Sequence, residues 1–101
     1  MSELPGRDEF AGCLHTRFNV ANVLPDGLEL ELDEVSELRV GYRQQSFSAV
    51  FSGPADQTLP QHIYRLKHDR LGLLDLFLVP IARKGESILY EAVFNRLILT
   101  E

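Results

Sequence analysis

The segment 28–33 (LELELD) has the clearest alternation of apolar and acidic residues in the chain. Successive side chains of a β-strand point to opposite faces, so the leucines share one face and the acids share the other. The turn sequence PDG at 25–27 comes just before, and the apolar parity slips after Asp33, at Val35 and Leu38. This pattern predicts a half-buried strand with a bulge or bend near Glu34.

Four further segments alternate with the same period of two. Their inward positions are Phe18 and Val20; Phe47, Ala49 and Phe51; Tyr64 and Leu66; and Tyr90, Ala92 and Phe94. With the apolar segment 73–83 they make about six strands joined by short turns, and Asp8 could cap a helical turn through Ala11. We predict a mainly β fold: a small antiparallel sandwich or partly closed barrel with one short N-terminal helical turn. Residues 1–101 form a single β-rich domain, with 1–7 as a loose lead-in.

The segment 73–83 differs because it is apolar on both faces. Leu74, Leu76 and Leu78 share one face, and Phe77, Val79 and Ile81 share the other. Such a strand is either covered on both sides by its own chain or lies against a partner, and Pro80 predicts a sheet edge or a bend. With the apolar C-terminal residues, the outer positions make a predicted interaction surface: Phe77, Val79, Ile81, Leu97, Ile98 and Leu99.

The charge balance argues against two classes of partner. Lys and Arg number 10 against 15 Asp and Glu, which gives a formal net charge of −5. Non-specific nucleic-acid binding and attraction to an anionic membrane surface both need a positive field. The apolar runs are too short to span a bilayer, and the N-terminus has no signal-peptide pattern. We therefore expect neither nucleic-acid binding nor membrane insertion.

Catalytic and metal-binding patterns are missing from the sequence. His15, His62 and His68 lack the spacing of a metal motif, and Cys13 stands beside Leu14 on the apolar side of the predicted helical turn, as a buried, inert thiol. No Gly-x-Ser-x-Gly nucleophile elbow or phosphate-binding glycine loop occurs. We predict no catalytic residue, no cofactor and no metal, and hence a protein that is not an enzyme.

The acidic positions Glu29, Glu31 and Asp33 also lack the spacing of a calcium loop. Alternate residues of a strand stand too far apart to surround one cation. We interpret these acids as a solvated strand face that could pair across strands with Arg65 and Lys67.

Several motifs resemble a small bacterial domain family of unknown function. They are FSGPAD at 51–56, LPQ at 59–61, YRL at 64–66, LG at 71–72, DLFLVP at 75–80 and YEAVFN at 90–95. The resemblance extends from about Phe10 to Asn95; a Gly is common in the family where this chain has His62, and an acid where it has Lys67. Family members are similar to short proteins encoded near phage-tail-collar-type fibre proteins, which implies an accessory or structural role in a fibre or tail-like assembly.

These observations lead to two functional hypotheses. The first is a non-enzymatic structural or assembly module that binds a protein partner or forms a homo-oligomer. The alternative is a small ligand-binding β-barrel in which Tyr64, Phe77, Tyr90 and Phe94 line a pocket. We expect the protein to be cytoplasmic, or to be part of an assembled extracellular or phage-like particle.

Overall fold

The structure, a computed structural model, describes residues 5–23 and 27–97. A short helix, α1 (Arg7–Ala11), precedes seven antiparallel strands. The strands are β1 (Arg17–Val20), β2 (Glu29–Val35), β3 (Arg39–Gly41), β4 (Gln44–Pro54), β5 (His62–His68), β6 (Gly72–Lys84) and β7 (Ser87–Leu97).

Six of these strands close into a barrel. The order is β2-β1-β5-β6-β7-β4, and a further pairing of β2 with β4 closes the ring. The remaining strand, β3, pairs with the end of β4 that β2 leaves unpaired, as a seventh strand. The mainly β prediction is confirmed, and the sandwich-or-barrel alternative is decided in favour of a closed barrel.

Side-chain alternation fills the interior as the sequence predicts. The inward residues of each barrel strand are buried, and Phe18 packs edge-on against Phe51 with ring centroids 5.2 Å apart. Gly53 makes room for a neighbouring core side chain, because a Cβ added there would lie 2.6 Å from the Leu30 Cδ2 atom. The interior is therefore a packed core built from both large and very small side chains.

Two irregularities in the strand register match the sequence predictions. The β2–β4 register shifts between Leu32 and Glu34, which confirms the bulge expected near Glu34. A second shift lies between Pro80 and Ala82 in β6. Because β6 pairs with β5 only as far as Leu78, Pro80 lies where the strand has a ladder partner on one side.

The helical turn is present, but its cap differs from the prediction. Gly6, not Asp8, is the N-cap, and its backbone N–H donates to the Glu9 carboxylate at 2.8 Å. A glutamate three residues after the cap can reach back to that N–H, while Asp8 lies within the first turn. The only buried residue of α1 is Phe10, which packs at 5.1 Å from the Phe94 ring and so covers one end of the barrel.

Candidate interaction surface

An apolar patch lies on the outer wall of the barrel, across β5 and β6. Ile63 stands directly opposite Phe77 in the antiparallel register. Their side chains are 55% and 50% exposed, and the next outward residue of β6, Val79, is half-buried. Directly opposite residues on one face have Cβ atoms about 4.5–5.5 Å apart, so these side chains form a continuous surface.

The patch continues towards β7. Val79 is paired with Glu91, and Val93 follows on the same face of β7 and is exposed. Ile81, at the second register shift, is also exposed. We call the set Ile63, Phe77, Val79, Ile81 and Val93 the outer patch.

The predicted interaction surface is brought together only in part. Phe77, Val79 and Ile81 lie in the outer patch, as expected for outward positions of one strand. Leu97 is six positions beyond Glu91, the partner of Val79, and is therefore about 20 Å away along β7. Ile98 and Leu99 lie outside the described residues.

Ile63 is the member of the outer patch that the sequence pattern does not reveal. It shares the outward face of β5 with Arg65 and Lys67, so that face looks polar when β5 is considered alone. Only the register of β5 against β6 places Ile63 beside Phe77. Apolar positions on two different strands become one surface through pairing, which the sequence pattern does not specify.

In the described part of the chain no element packs over the outer patch. The barrel is a single layer, and Phe10 of α1 packs against Phe47 and Phe94 at one end of the barrel. The apolar segment 73–83 is expected to be covered either by its own chain or by a partner. Among residues 5–23 and 27–97, no part of the chain covers its outer face.

An ion pair borders the patch on the same two strands. The Arg65 guanidinium donates to both carboxylate oxygens of Asp75, at 2.9 and 3.0 Å. These hydrogen bonds hold the pKa of Asp75 below its ordinary value and raise that of Arg65. The pair stands between Phe77 and the exposed Leu73, and gives the apolar surface a polar rim on this side.

The histidines have structural surroundings. Buried His68 accepts the backbone N–H groups of Arg70 and Leu71 at its Nδ1 atom, at 3.1 and 3.2 Å. Its Nε2 atom lies 2.8 Å from the Thr16 hydroxyl, which itself donates to the Cys13 carbonyl. Nε2 therefore carries the proton of a neutral ring. Burial lowers the pKa of His68, since the charged form is poorly solvated there.

The other two histidines lie apart from this site. His15 faces Glu31, with 3.8 Å between Nδ1 and the carboxylate, and exposed His62 lies edge-on to the Tyr64 ring. Among residues 5–23 and 27–97, no three His, Cys, Asp or Glu side chains are grouped so that they could hold a metal ion. Cys13 is buried and unpaired with another cysteine, as predicted from its apolar neighbours.

The acidic face of β2 has different partners from those expected. Glu29 pairs with Arg17 at 3.4 Å, and Glu31 faces His15. Arg65 and Lys67 do not pair with these acids because β1 lies between β2 and β5 in the barrel. The hypothesis of cross-strand pairs with those two residues is therefore wrong.

The four aromatic residues proposed for an internal pocket are not brought together. Tyr64 and Tyr90 are buried in the core, whereas Phe77 lies on the outer wall. The Tyr64 hydroxyl donates to the Pro60 carbonyl, and the Tyr90 hydroxyl accepts the Leu59 N–H at 2.9 Å. These bonds anchor the 55–61 loop to the barrel. Burial raises the pKa of Tyr64, and the neighbouring Tyr90 adds to the effect.

A cleft of about 720 Å³ lies beside α1 instead. Its apolar lining includes Leu38, Phe47 and Phe94, and the two phenylalanine rings stack with their centroids 4.6 Å apart. Gln45 and Asn95 add polar groups to the lining. The cleft could hold an apolar group with a polar end, outside the filled barrel interior.

One known protein family matches most of the chain. A family model described as a domain of unknown function, DUF6916, matches residues 5–94. The chain belongs to the DUF6916 family. This match confirms the resemblance to an uncharacterised domain family, and it includes every residue of the outer patch. No curated protein and no solved structure matches this DUF6916 domain. Within the described residues, no helix has the length and apolar character needed to cross a membrane.

Proposed function

We propose that this DUF6916 domain is a non-enzymatic structural or assembly module that binds a protein partner through the outer patch. One observation carries the proposal: Ile63 and Phe77 are cross-strand neighbours, and about half of each side chain is exposed. The barrel core is already filled by other residues, so these side chains are not needed to complete it.

Complete burial of a large apolar side chain contributes about 1.5–3 kcal/mol, so covering the exposed half of each would contribute roughly 1 kcal/mol. Apolar residues at the centre of a patch with a charged rim are typical of protein interfaces. The Arg65–Asp75 pair supplies such a rim. An accessory role in a fibre or tail-like assembly belongs to the same proposal, and the elongated molecule, 49 × 29 × 23 Å, suits end-to-end packing.

Site-specific photo-crosslinking in the native host tests the proposal. A photoreactive phenylalanine analogue replaces Phe77 in one variant and Leu73 in the matched control, which shares the strand and the outward face. We expect a discrete protein adduct from position 77 and little from position 73, because the Arg65–Asp75 pair separates the two positions. Equal yields at both positions, or no adduct at 77, would contradict the proposal.

Small-ligand binding in the cleft beside α1 is a second candidate, favoured by the stacked phenylalanines in its wall. The test is titration with a set of aromatic and aliphatic acids, followed by NMR. Saturable shifts at Phe47 and Phe94, abolished by Phe94→Ala and retained in Phe77→Ala, would support it. Shifts that do not saturate would exclude it for the compounds tested.

A further inference from the structure

The β3–β4 hairpin has an exposed outer strand. All three residues of β3 are exposed, and β3 is the last strand of the sheet order. Tyr42 at the turn is 86% exposed, and Val40 is 67% exposed. Large apolar side chains exposed at a sheet edge are available for contact with another chain.

The hairpin is also basic on an acidic protein. The Arg43 guanidinium lies 5.2 Å from the centre of the Tyr42 ring, and Arg39 is nearby on β3. Neither arginine makes an ion pair within the part of the chain that the structure describes. Glu37 is the single acid in the segment 37–45, in a chain whose formal net charge is −5. Tyrosine and arginine are the residue types enriched at the energetic centres of interfaces.

The turn of the hairpin contains a left-handed residue that is not glycine. Arg43 has a φ angle of 62°, in the region where glycine is the least strained residue and which tight hairpin turns use. The turn thereby places a guanidinium at the tip of an exposed hairpin.

A surface of opposite charge exists on the same molecule. On β2, Asp33 and Glu34 have no ion pair among the described residues, and Glu29 and Glu31 continue the acidic wall. Glu34 is level with Val50 of β4, and Arg39 is level with Ser46, four positions further along the same strand. The two backbone positions are thus about 13 Å apart, and no ion pair joins Arg39 or Arg43 to the wall among the described residues.

We propose that the hairpin docks on the acidic β2 wall of a second copy of this chain. The inference rests on the proposed function as an interaction module, and it names the partner as a copy of the same protein. The hairpin and the wall lie along the same side of β4, so two copies can exchange these contacts reciprocally about a twofold axis. Opposite charge across the contact steers and orients the copies.

Charge reversal in both surfaces tests the inference by analytical ultracentrifugation of the full chain. The hairpin variant is Arg39→Glu with Arg43→Glu, and the wall variant is Asp33→Lys with Glu34→Lys. We expect the wild type to self-associate at about 0.02 M ionic strength and to dissociate at about 0.5 M. Each variant alone should associate at least about tenfold more weakly, since like charges then face each other.

An equimolar mixture of the two variants should regain association, because each reversed surface then meets an opposite charge on the other variant. The matched control is Arg83→Glu with Lys84→Glu, which changes the net charge equally at the opposite end of β4 and β7. We expect the control to associate like the wild type. Circular dichroism checks that every variant retains the fold.

The outcomes also separate this inference from the proposed function. A wild type that stays monomeric at about millimolar concentration and low salt overturns the inference. Association that the control weakens equally, or that the mixture fails to restore, also overturns it. If Phe77→Asp abolishes association while both charge reversals leave it intact, the hairpin assignment is wrong and the outer-patch proposal stands. Charge-dependent association without a crosslink at position 77 supports the inference and contradicts the outer-patch proposal.

Discussion

Both faces of β6 carry large apolar side chains, but only one face is buried. Leu74, Leu76 and Leu78 point inward and are at most 5% exposed, whereas Leu73 and Phe77 on the other face are at least half exposed. The barrel is a single curved layer, so it encloses only one face of each strand. Apolar character on the enclosed face stabilises the fold, and the same character on the outer face is available to a partner.

The largest expected effect is the difference in stability between a substitution on the inner face of β6 and one on its outer face. Leu76→Ala should lower the free energy of unfolding by about 2–5 kcal/mol, because it leaves a cavity among packed side chains. Phe77→Ala should lower it by about 1 kcal/mol or less, because half of the ring is already in water. Urea denaturation of both variants measures the difference. Similar losses would show that the outer face also contributes to the core.

A substitution at Gly53 tests the packing of the barrel interior, which is what distinguishes the inner face of the strands from the outer face. Gly53→Ala should lower the free energy of unfolding by about 1–3 kcal/mol, because the added methyl would collide with the Leu30 side chain. Gly41→Ala is the control, since a Cβ there meets nothing closer than 3.9 Å. Thermal denaturation of the two variants gives the comparison, and equal melting temperatures would contradict the packing described for Gly53.

The pH dependence of stability tests the buried histidine. His68 has a lowered pKa in the folded state. As the pH falls, this histidine is therefore protonated in the unfolded chain before it is protonated in the folded one. The stabilising contribution is complete above the ordinary pKa of 6.5 and is lost as the pH falls below it towards the folded-state pKa. His68→Asn should remove this part of the pH dependence, since the amide oxygen can accept a backbone N–H and does not titrate.

His62→Asn makes the same substitution at an exposed position of β5 and is the matched control. Urea denaturation between about pH 5 and pH 8 covers the relevant range. A wild-type stability that stays constant through this range would contradict the environment described for His68.

The smallest effect concerns the rim of the outer patch. NMR titration should give Asp75 a pKa below its ordinary 3.8, because Arg65 donates to the charged carboxylate. Arg65→Gln should return that pKa towards 3.8 and change the melting temperature little, since both groups are exposed. An unchanged Asp75 pKa in the variant would show that the ion pair does not persist in solution.

Strand identity could be predicted well from the sequence. The period of two placed the inward residues of the barrel strands, and the parity slip near Glu34 predicted a real bulge. The strand β3 was missed because none of its three residues is buried, so no apolar alternation marks it. Pairing with β4 through backbone hydrogen bonds forms this strand, and those bonds depend little on the side chains.

The candidate surface was only partly predictable. Phe77, Val79 and Ile81 stood out because they lie on a segment that is apolar on both faces. Ile63 did not, since its own strand face is otherwise charged and only the register joins it to Phe77. Leu97 was grouped with them by hydropathy, although β7 carries it far along the barrel.

The sequence by itself determined the six barrel strands, the inward face of each of them and the excess of apolar residues on 73–83. These are local properties, since alternation and turn residues act within a few positions of the chain. Only the tertiary structure decided that six strands close into a ring and which outward residues become neighbours. Pairing between distant strands sets both features, and the same closure that buries Leu76 leaves Phe77 facing solvent.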